Sequence, residues 1–288
     1  AVWVGYMRDE APQSLKLPAL SVLGCVAEAL PSREAKPDIR YEELGAVGYL
    51  HFDFQGGALT PEQSERLLAA YQDACTRPTR VLCLMGGAEY WSNGIHLGWI
   101  ENAQSPADAS WRAINAIDDL AHAIITTTSH LVVAALRGNA GAGGVFLALG
   151  VDRVIGREGV ILNPHYKDMG NLFGSEYWTY VLPRRAGKDH ASAVMETRLP
   201  VGMAEAQRLG LVDDVLAGDL EIFDVQLMDH LGALSEDSEL AALLEGKRKR
   251  LEQDEAYKSL ESYREEELET MKLNFYGFDP SYHIARYN

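Results

Sequence analysis

The strings TRVLCLMGG (79–87) and HLVVAALRG (130–138) constrain this chain most. Each is an apolar run of strand length, without the alternation that would leave one face to water, and each ends in glycine. Runs of this kind read as strands buried on both faces, the usual state of a parallel sheet covered by helices. The flanking segments fit the same plan. AVGYLHFDF (46–54) alternates and predicts a strand, and DRVIGR (152–157) predicts another. LTPEQSERLLAAYQDACT (59–76) predicts a helix with Thr60 as N-cap and Pro61 at the first helical position. SPADASWRAINAIDDLAHAIITTTS (105–129) predicts a second, capped by Ser105 with Pro106 next. NAGAGGVFLALGVD (139–152) is a glycine turn that opens a short apolar helix. Strands alternating with helices indicate an α/β fold with largely parallel strands.

The ends of the chain follow a different rhythm. AVWVGYMRDE predicts one strand, and KLPALSVLG and LPSREAKPD have the proline and charge content of a linker, so residues 1–40 stand apart from a core expected at 41–216. From Gly187 on the pattern is almost wholly helical, with a helical region expected at 217–288. Within it, 236–272 is highly charged with sparse apolar positions. A solvated helix or helix pair is expected there, with an oligomer or interdomain arm as the alternative. A first residue other than Met and the stop at HIARYN suggest a piece of something longer.

The 288 residues are 47% hydrophobic, enough for one large domain, with or without appendages, and a sizeable core. The formal charge of −16 argues against a nucleic-acid binder, which needs a basic face. No run of about 18 apolar residues occurs, so no membrane span is expected, and the first 30 residues lack the order of a signal peptide. Cys25, Cys75 and Cys83 have no metal-ligand spacing and read as reduced cytosolic thiols. A cytoplasmic chain with no metal site is the expectation.

Two glycine turns carry the first functional signal. MGGAEYWSNGIHLGWI (85–100) and RGNAGAGGVFLALG (137–150) each follow a buried strand and precede helix. Such a turn leaves backbone N–H groups free at a helix start, where they can face an anion. Two N–H groups converging on one point would form an oxyanion hole. Neither turn is a phosphate loop, because no Gly-Lys-Ser/Thr follows.

The order of these pieces resembles the crotonase (enoyl-CoA hydratase/isomerase) superfamily, and with it a ClpP/crotonase fold of repeated β-β-α units with a helical C-terminal extension. YWSNGIHL sits where that family has an aromatic-x-x-Gly-x-Asp-Leu turn, and GNAGAGGVFLALGVD is similar to its second glycine turn and helix. RLPVGMAEAQRLGLVDDVL (198–216) matches a further family segment, and the resemblance covers roughly 44–216. It implies an acyl-coenzyme A thioester whose carbonyl oxygen lies between the amides of Ile95 and Gly143. The hydratases add two glutamates that handle water. Here Phe146 and His165 stand at those positions, so ordinary enoyl-CoA hydration is not expected.

The segment NPHYKDMGNLFGSEYWTYVLPRRAG (163–187) resembles a narrower family, the C-terminal part of the hydrogenase maturation factors HypX, also called HoxX. GGALTPEQSERLL and NFYGFDPSYHIARYN are similar to other parts of it, and VWVGYMR and KLPA resemble the end of its preceding formyltransferase-like half. The resemblance implies a two-stage reaction. The N-terminal half moves a formyl group from formyl-tetrahydrofolate to coenzyme A. The crotonase-like half then splits formyl-CoA into CO and CoA, and the CO becomes an iron ligand of [NiFe]-hydrogenase. This chain would carry the second stage and would not itself bind the folate.

The same resemblance places a catalytic tyrosine at Tyr166 and a catalytic glutamate at Glu176. Phe146, Phe173, Tyr177 and Trp178 are expected to form a dry wall there, with His165 in the pocket. From the residues alone other roles stay open. Tyr166 suits a core tyrosine, and Glu176 suits a helix first turn capped by Ser175. His165 suits a packed side chain, since no zinc partner lies at metal spacing. His96 follows the first candidate donor and is a possible ligand contact. Arg184 and Arg185 suit a helix end or a phosphate contact. The alternative functions are an acyl-CoA isomerase or thioesterase using Glu176, and a non-catalytic CoA-binding scaffold that docks hydrogenase maturation proteins.

Overall fold

The computed structural model describes residues 37–287. The strand and linker expected before residue 37, and Cys25, lie outside the described residues.

The described chain opens with an antiparallel hairpin, β1 (Ile39–Leu44) and β2 (Val47–Phe52), in register Ile39 to Phe52. From β2 one unit recurs: a strand of a six-stranded sheet, a short strand outside that sheet, then helix. The first turn is β2, β3 (Ala58–Leu59) and α1 (Pro61–Ala74). The second is β4 (Val81–Met85), β5 (Tyr90–Ser92), β6 (Gly94–Ile95), α2 (Leu97–Glu101) and α3 (Pro106–Thr126). The third is β7 (Leu131–Leu136), β8 (Asn139–Gly141) and α4 (Gly143–Leu149). The fourth is β9 (Arg153–Arg157), β10 (Ile161–Asn163), α5 (Trp178–Ala186) and α6 (Lys188–Thr197). After β11 (Val201–Gly202), α7 (Met203–Arg208) and β12 (Asp214–Leu216), the chain runs through α8 (Leu220–Glu236), α9 (Leu240–Tyr257), α10 (Leu260–Tyr276) and α11 (Ser281–Tyr287). This is the crotonase architecture of β-β-α units with added C-terminal helices.

The large sheet has the order β1-β2-β4-β7-β9-β12, parallel from β2 onward. The second sheet, β11-β10-β8-β5, is parallel except at β11, and β3 pairs with β6. The caps form as their sequence indicates. Thr60 Oγ1 accepts from Gln63 N at 3.3 Å while Thr60 N donates to Gln63 Oε1 at 2.9 Å, a reciprocal capping box on α1. Ser105 Oγ accepts from Asp108 N at the start of α3.

Both faces of the large sheet are covered. Leu50, Leu82, Leu84, Val132, Ala134 and Val154 join the core with Leu67 of α1 and Ile117 and Leu120 of α3. Val47, Tyr49, Val81, Cys83, Leu131, Val133 and Ile155 face Phe223, Leu227 and Leu231 of α8. Helix α8 therefore accounts for the absence of alternation in β4 and β7. It also buries Tyr49 of β2, which the alternating pattern would leave half wet.

Two expectations change. Short strands β11 and β12 interrupt the stretch read as helical after Gly187; at two and three residues, they are too brief to carry a period. Helix α10 is not a solvated helix. Leu260, Leu268, Met271 and Phe275 lie buried along one helical face, and the charged Glu267 is buried with them.

Candidate active site

The two glycine turns meet. A β-carbon added to Gly94, just before Ile95, would lie 3.2 Å from Gly143 N, and one on Gly144 would run into the Ser92 carbonyl. Glycine at these places lets β5 and β6 lie directly against the first turn of α4. Ile95 is half-buried at the end of β6, and Gly143 is the first residue of α4. His96 turns to its own helix, where its Nδ1 accepts from Trp99 N at 3.0 Å.

The loop after β10 delivers Tyr166 and Glu176 to the same spot. Tyr166 Oη donates to Glu176 Oε2 at 2.5 Å and lies 3.1 Å from the Ser175 carbonyl. The pair forms because the loop folds back at Gly174, whose φ is +92°; any β-carbon there would enter the Tyr166 ring. Glu176 and Tyr177 each have a φ of +57°, the left-handed region that costs a non-glycine residue about 1–2 kcal/mol. A β-carbon on Gly143 would strike the Glu176 carboxyl group, with its carbon at 2.5 Å. Gly143 thus serves the α4 turn and makes room for the carboxyl.

Glu176 is 1% exposed. Burial, then the charge of Asp118, raise its carboxyl above the ordinary range, with the Tyr166 bond pulling the other way. Burial and the adjacent Glu176 raise the Tyr166 hydroxyl as well, so it stays a donor. Two further buried carboxyls stand close by. Asp118 of α3 accepts from Glu176 N at 2.8 Å and from Ser175 Oγ at 2.7 Å. Glu267 of α10 accepts from Tyr177 N at 3.0 Å and Thr179 N at 2.8 Å. Burial raises Asp118, opposed by its two donors and by Arg264, and pushes Glu267 up to about 8 against the Thr179 bonds. N–H and O–H donors occupy these carboxyls, and no His, Cys, Asp and Glu group suited to a metal occurs among the described residues.

Several expectations are corrected here. Ser175 does not cap α5: its hydroxyl goes to Asp118, and the helix starts at Trp178 with no cap from its own loop. Tyr177 is not in the aromatic wall but packs near His122, with centroids 6.0 Å apart. Phe146, Phe173 and Trp178 do come together. Phe146 stacks on Tyr166 at 5.2 Å and lies 6.3 Å from Trp178, which lies 5.3 Å from Phe173. His165 is buried, and neither ring nitrogen has a hydrogen-bond partner among the described residues; Nε2 lies 3.8 Å from the Asp168 carboxylate. Arg184 pairs with Asp254, and Arg185 binds Asp213 at 2.7 Å and the Val151 carbonyl at 2.7 Å, so both tie α5 to its neighbours.

Asp118 and Glu267 carry no motif. The available signal is a charged residue on an otherwise apolar helix face: Asp118 follows Ile114 and Ile117 in α3, and Glu267 sits beside Leu268 in α10. A cleft of about 860 Å³ opens beyond the wall, lined by Phe173, Trp178, Tyr263, Lys167 and Lys188, but it does not reach Tyr166 or Glu176.

The enoyl-CoA hydratase/isomerase family model matches residues 46–269. The chain belongs to the enoyl-CoA hydratase/isomerase family. Within that family it is 58% identical, over its whole length, to the hydrogenase maturation factor HoxX of Bradyrhizobium diazoefficiens, of which it covers 51%. The crystal structure of HypX from Aquifex aeolicus in complex with tetrahydrofolic acid superposes on 88% of this chain and 45% of that one, with TM-score 0.84 and 48% identity. The chain thus spans about half the length of these two relatives. An enoyl-CoA hydratase from Bacillus halodurans, at 21% identity and TM-score 0.74, shares the fold over 87% of this chain and 99% of its own. No helix among the described residues is long and apolar enough to cross a membrane.

Proposed function

We propose that this chain splits formyl-CoA into CO and coenzyme A, supplying CO for hydrogenase maturation. The observation that carries this is the buried Tyr166–Glu176 pair beside Gly143, and the resemblance that puts Phe146 and His165 at the two hydratase glutamate positions supports it. One carboxyl group, a phenol and an aromatic wall suit proton transfer without water.

In the proposed step, the formyl oxygen lies between the amide N–H groups of Ile95 and Gly143. These donors polarise the carbonyl, each worth roughly 2.7–4 kcal/mol of barrier in sites of this kind. Glu176, in its ionised form, takes the formyl hydrogen as a proton. The C–H pair stays on carbon, the C–S pair leaves with sulfur, and CO departs. The Glu176 proton then passes to the thiolate, giving CoA with no oxidant or reductant consumed. Tyr166 orients the carboxylate through its hydroxyl. Phe146, Phe173 and Trp178 keep water from hydrolysing the thioester.

The larger scheme is part of the same proposal. A formyltransferase-like half, absent from this chain, takes the formyl group from formyl-tetrahydrofolate in the cytoplasm, and maturation proteins receive the CO. The chain divides into a lead-in at 1–40, the CoA-binding core at 41–216 and the helical region at 217–288.

The test is incubation of the chain with formyl-CoA while CO is trapped on a haem protein and free thiol is titrated. CO and CoA should appear in equal amounts. Free thiol without CO would mean thioesterase action, turnover of an enoyl-CoA instead would mean an isomerase, and CoA binding without turnover would mean a scaffold. Each of those results overturns the proposal.

A further inference from the structure

We propose that Asp118 and Glu267 are positioning residues that hold Glu176 by gripping the amides on either side of it. The two carboxyl groups come from helices far apart in sequence, α3 and α10. Asp118 takes Glu176 N and Ser175 Oγ, while Glu267 takes Tyr177 N, Thr179 N and the Thr179 hydroxyl. Between them they hold the amides of Glu176 and Tyr177, two successive residues with left-handed backbones. Such a turn needs outside support, because nothing in its own sequence offsets the strain.

Glu267 also does the work of the missing cap on α5. Tyr177 N and Thr179 N belong to the start of that helix, where N–H groups have no partner within the helix. A carboxyl group from another helix satisfies them and suits the positive end of the dipole. Helix α10 is therefore part of the active-site scaffold. Its Arg264 closes the arrangement, binding Asp119 at 2.7 Å and lying 3.9 Å from Asp118.

The titratable groups acting on Glu176 are Tyr166 from its own loop, Asp118 from α3 and Glu267 from α10, while Asp119 of α3 and Arg264 of α10 act on Asp118. From α4, Gly143 and Phe146 bring no charge. Removing the charge of Asp118 should let Glu176 ionise at lower pH, since like charges oppose ionisation. This effect separates positioning and tuning from simple structural support.

The test has two arms. Amide hydrogen exchange on the intact chain compares the wild type with Glu267→Met, which keeps the side-chain length but removes both oxygens that accept from Tyr177 N and Thr179 N. Tyr177 and Thr179 should lose protection at least about ten-fold, with amides of β7 unchanged as the sign of an intact fold. Glu266→Gln, on the same helix but exposed, should change nothing. Unchanged protection at 177 and 179 overturns the inference, as does equal loss in β7.

The kinetic arm rests on the formyl-CoA proposal. It measures the pH profile of CO release for Asp118→Asn, whose acid limb should move down by about one unit or more while KM stays within a factor of about two. A lower kcat with an unmoved limb overturns the positioning role. If the wild type releases no CO, the formyl-CoA proposal fails, and the exchange arm alone decides this inference.

Discussion

The turn before α4 and the turn before α5 end at the same point in space, where Gly143 meets the Glu176 carboxyl group. They are held in opposite ways. The first is made by glycines that let two successive repeats touch, Gly94 against Gly143 N and Gly144 against the Ser92 carbonyl, with one non-glycine residue at positive φ, Ala142 at +45°. The second contains two non-glycine left-handed residues and is held by carboxyl groups 58 and 90 residues away. A turn built from glycine is written where it stands. A turn built on borrowed acceptors is spread over three helices, and it carries the side chain that needs an exact aim.

Breaking either turn at its centre should give the largest effects. Glu176→Gln should reduce CO release roughly 100- to 10,000-fold, the usual contribution of a general base, with little change in Tm. Retention of full activity would remove Glu176 from the chemistry. Gly143→Ala attacks the same point from the other turn. Its methyl group would displace the Glu176 carboxyl, and overpacking of this kind costs about 1–3 kcal/mol of stability. Activity should fall nearly as far as in Glu176→Gln, and the double variant should be little worse than either alone.

The pH dependence of stability sharpens the contrast, because only the second turn contains buried carboxyl groups. Glu267 has a folded value of about 8 against roughly 4.3 for a free glutamate. The folded chain therefore holds a proton that the unfolded chain gives up between those values. Stability from this source is complete below about pH 4 and is lost as the pH rises through about 8. Glu176 and Asp118, raised in the same direction, add to the trend. Denaturant titrations should show the wild type losing more stability between pH 5 and pH 9, about a few kcal/mol more, than Glu267→Gln. Parallel pH curves for the two proteins would mean that Glu267 titrates normally.

The same division explains what could be read in the sequence. The buried strands, the Thr60 and Ser105 caps and both glycine turns are local patterns, and an α/β order follows from them; the crotonase architecture comes from the family resemblance. The pairing of Tyr166 with Glu176 comes from a family resemblance; the residues alone favour a core tyrosine and a first-turn glutamate. Asp118, Glu267 and Arg264 escaped because each sits where a helix face should be apolar. In α10 the buried positions are 260, 267, 268, 271 and 275, with 264 half-buried on the same stripe, but charges at 264 and 267 break the apolar pattern and make the helix resemble a solvated one. Strands β11 and β12 escaped through shortness alone.

The smallest expected effect compares two hydroxyls that look alike in sequence, each just ahead of a helix. Thr60 is a true local cap, so Thr60→Ala should cost about 1 kcal/mol of stability in denaturant titration and leave catalysis unchanged. Ser175 lies two residues before Tyr177, the N-cap position of α5, but its hydroxyl goes to Asp118, and α5 keeps its acceptor in Glu267. Ser175→Ala should cost a similar 1–2 kcal/mol, yet it should also lower CO release, because Asp118 then grips the turn by the Glu176 amide alone. Equal stability losses with unequal activity losses would mark one turn as scaffold and the other as part of the machinery. Equal activity for both variants would mean that the Glu176 amide bond is enough to hold the carboxylate in place.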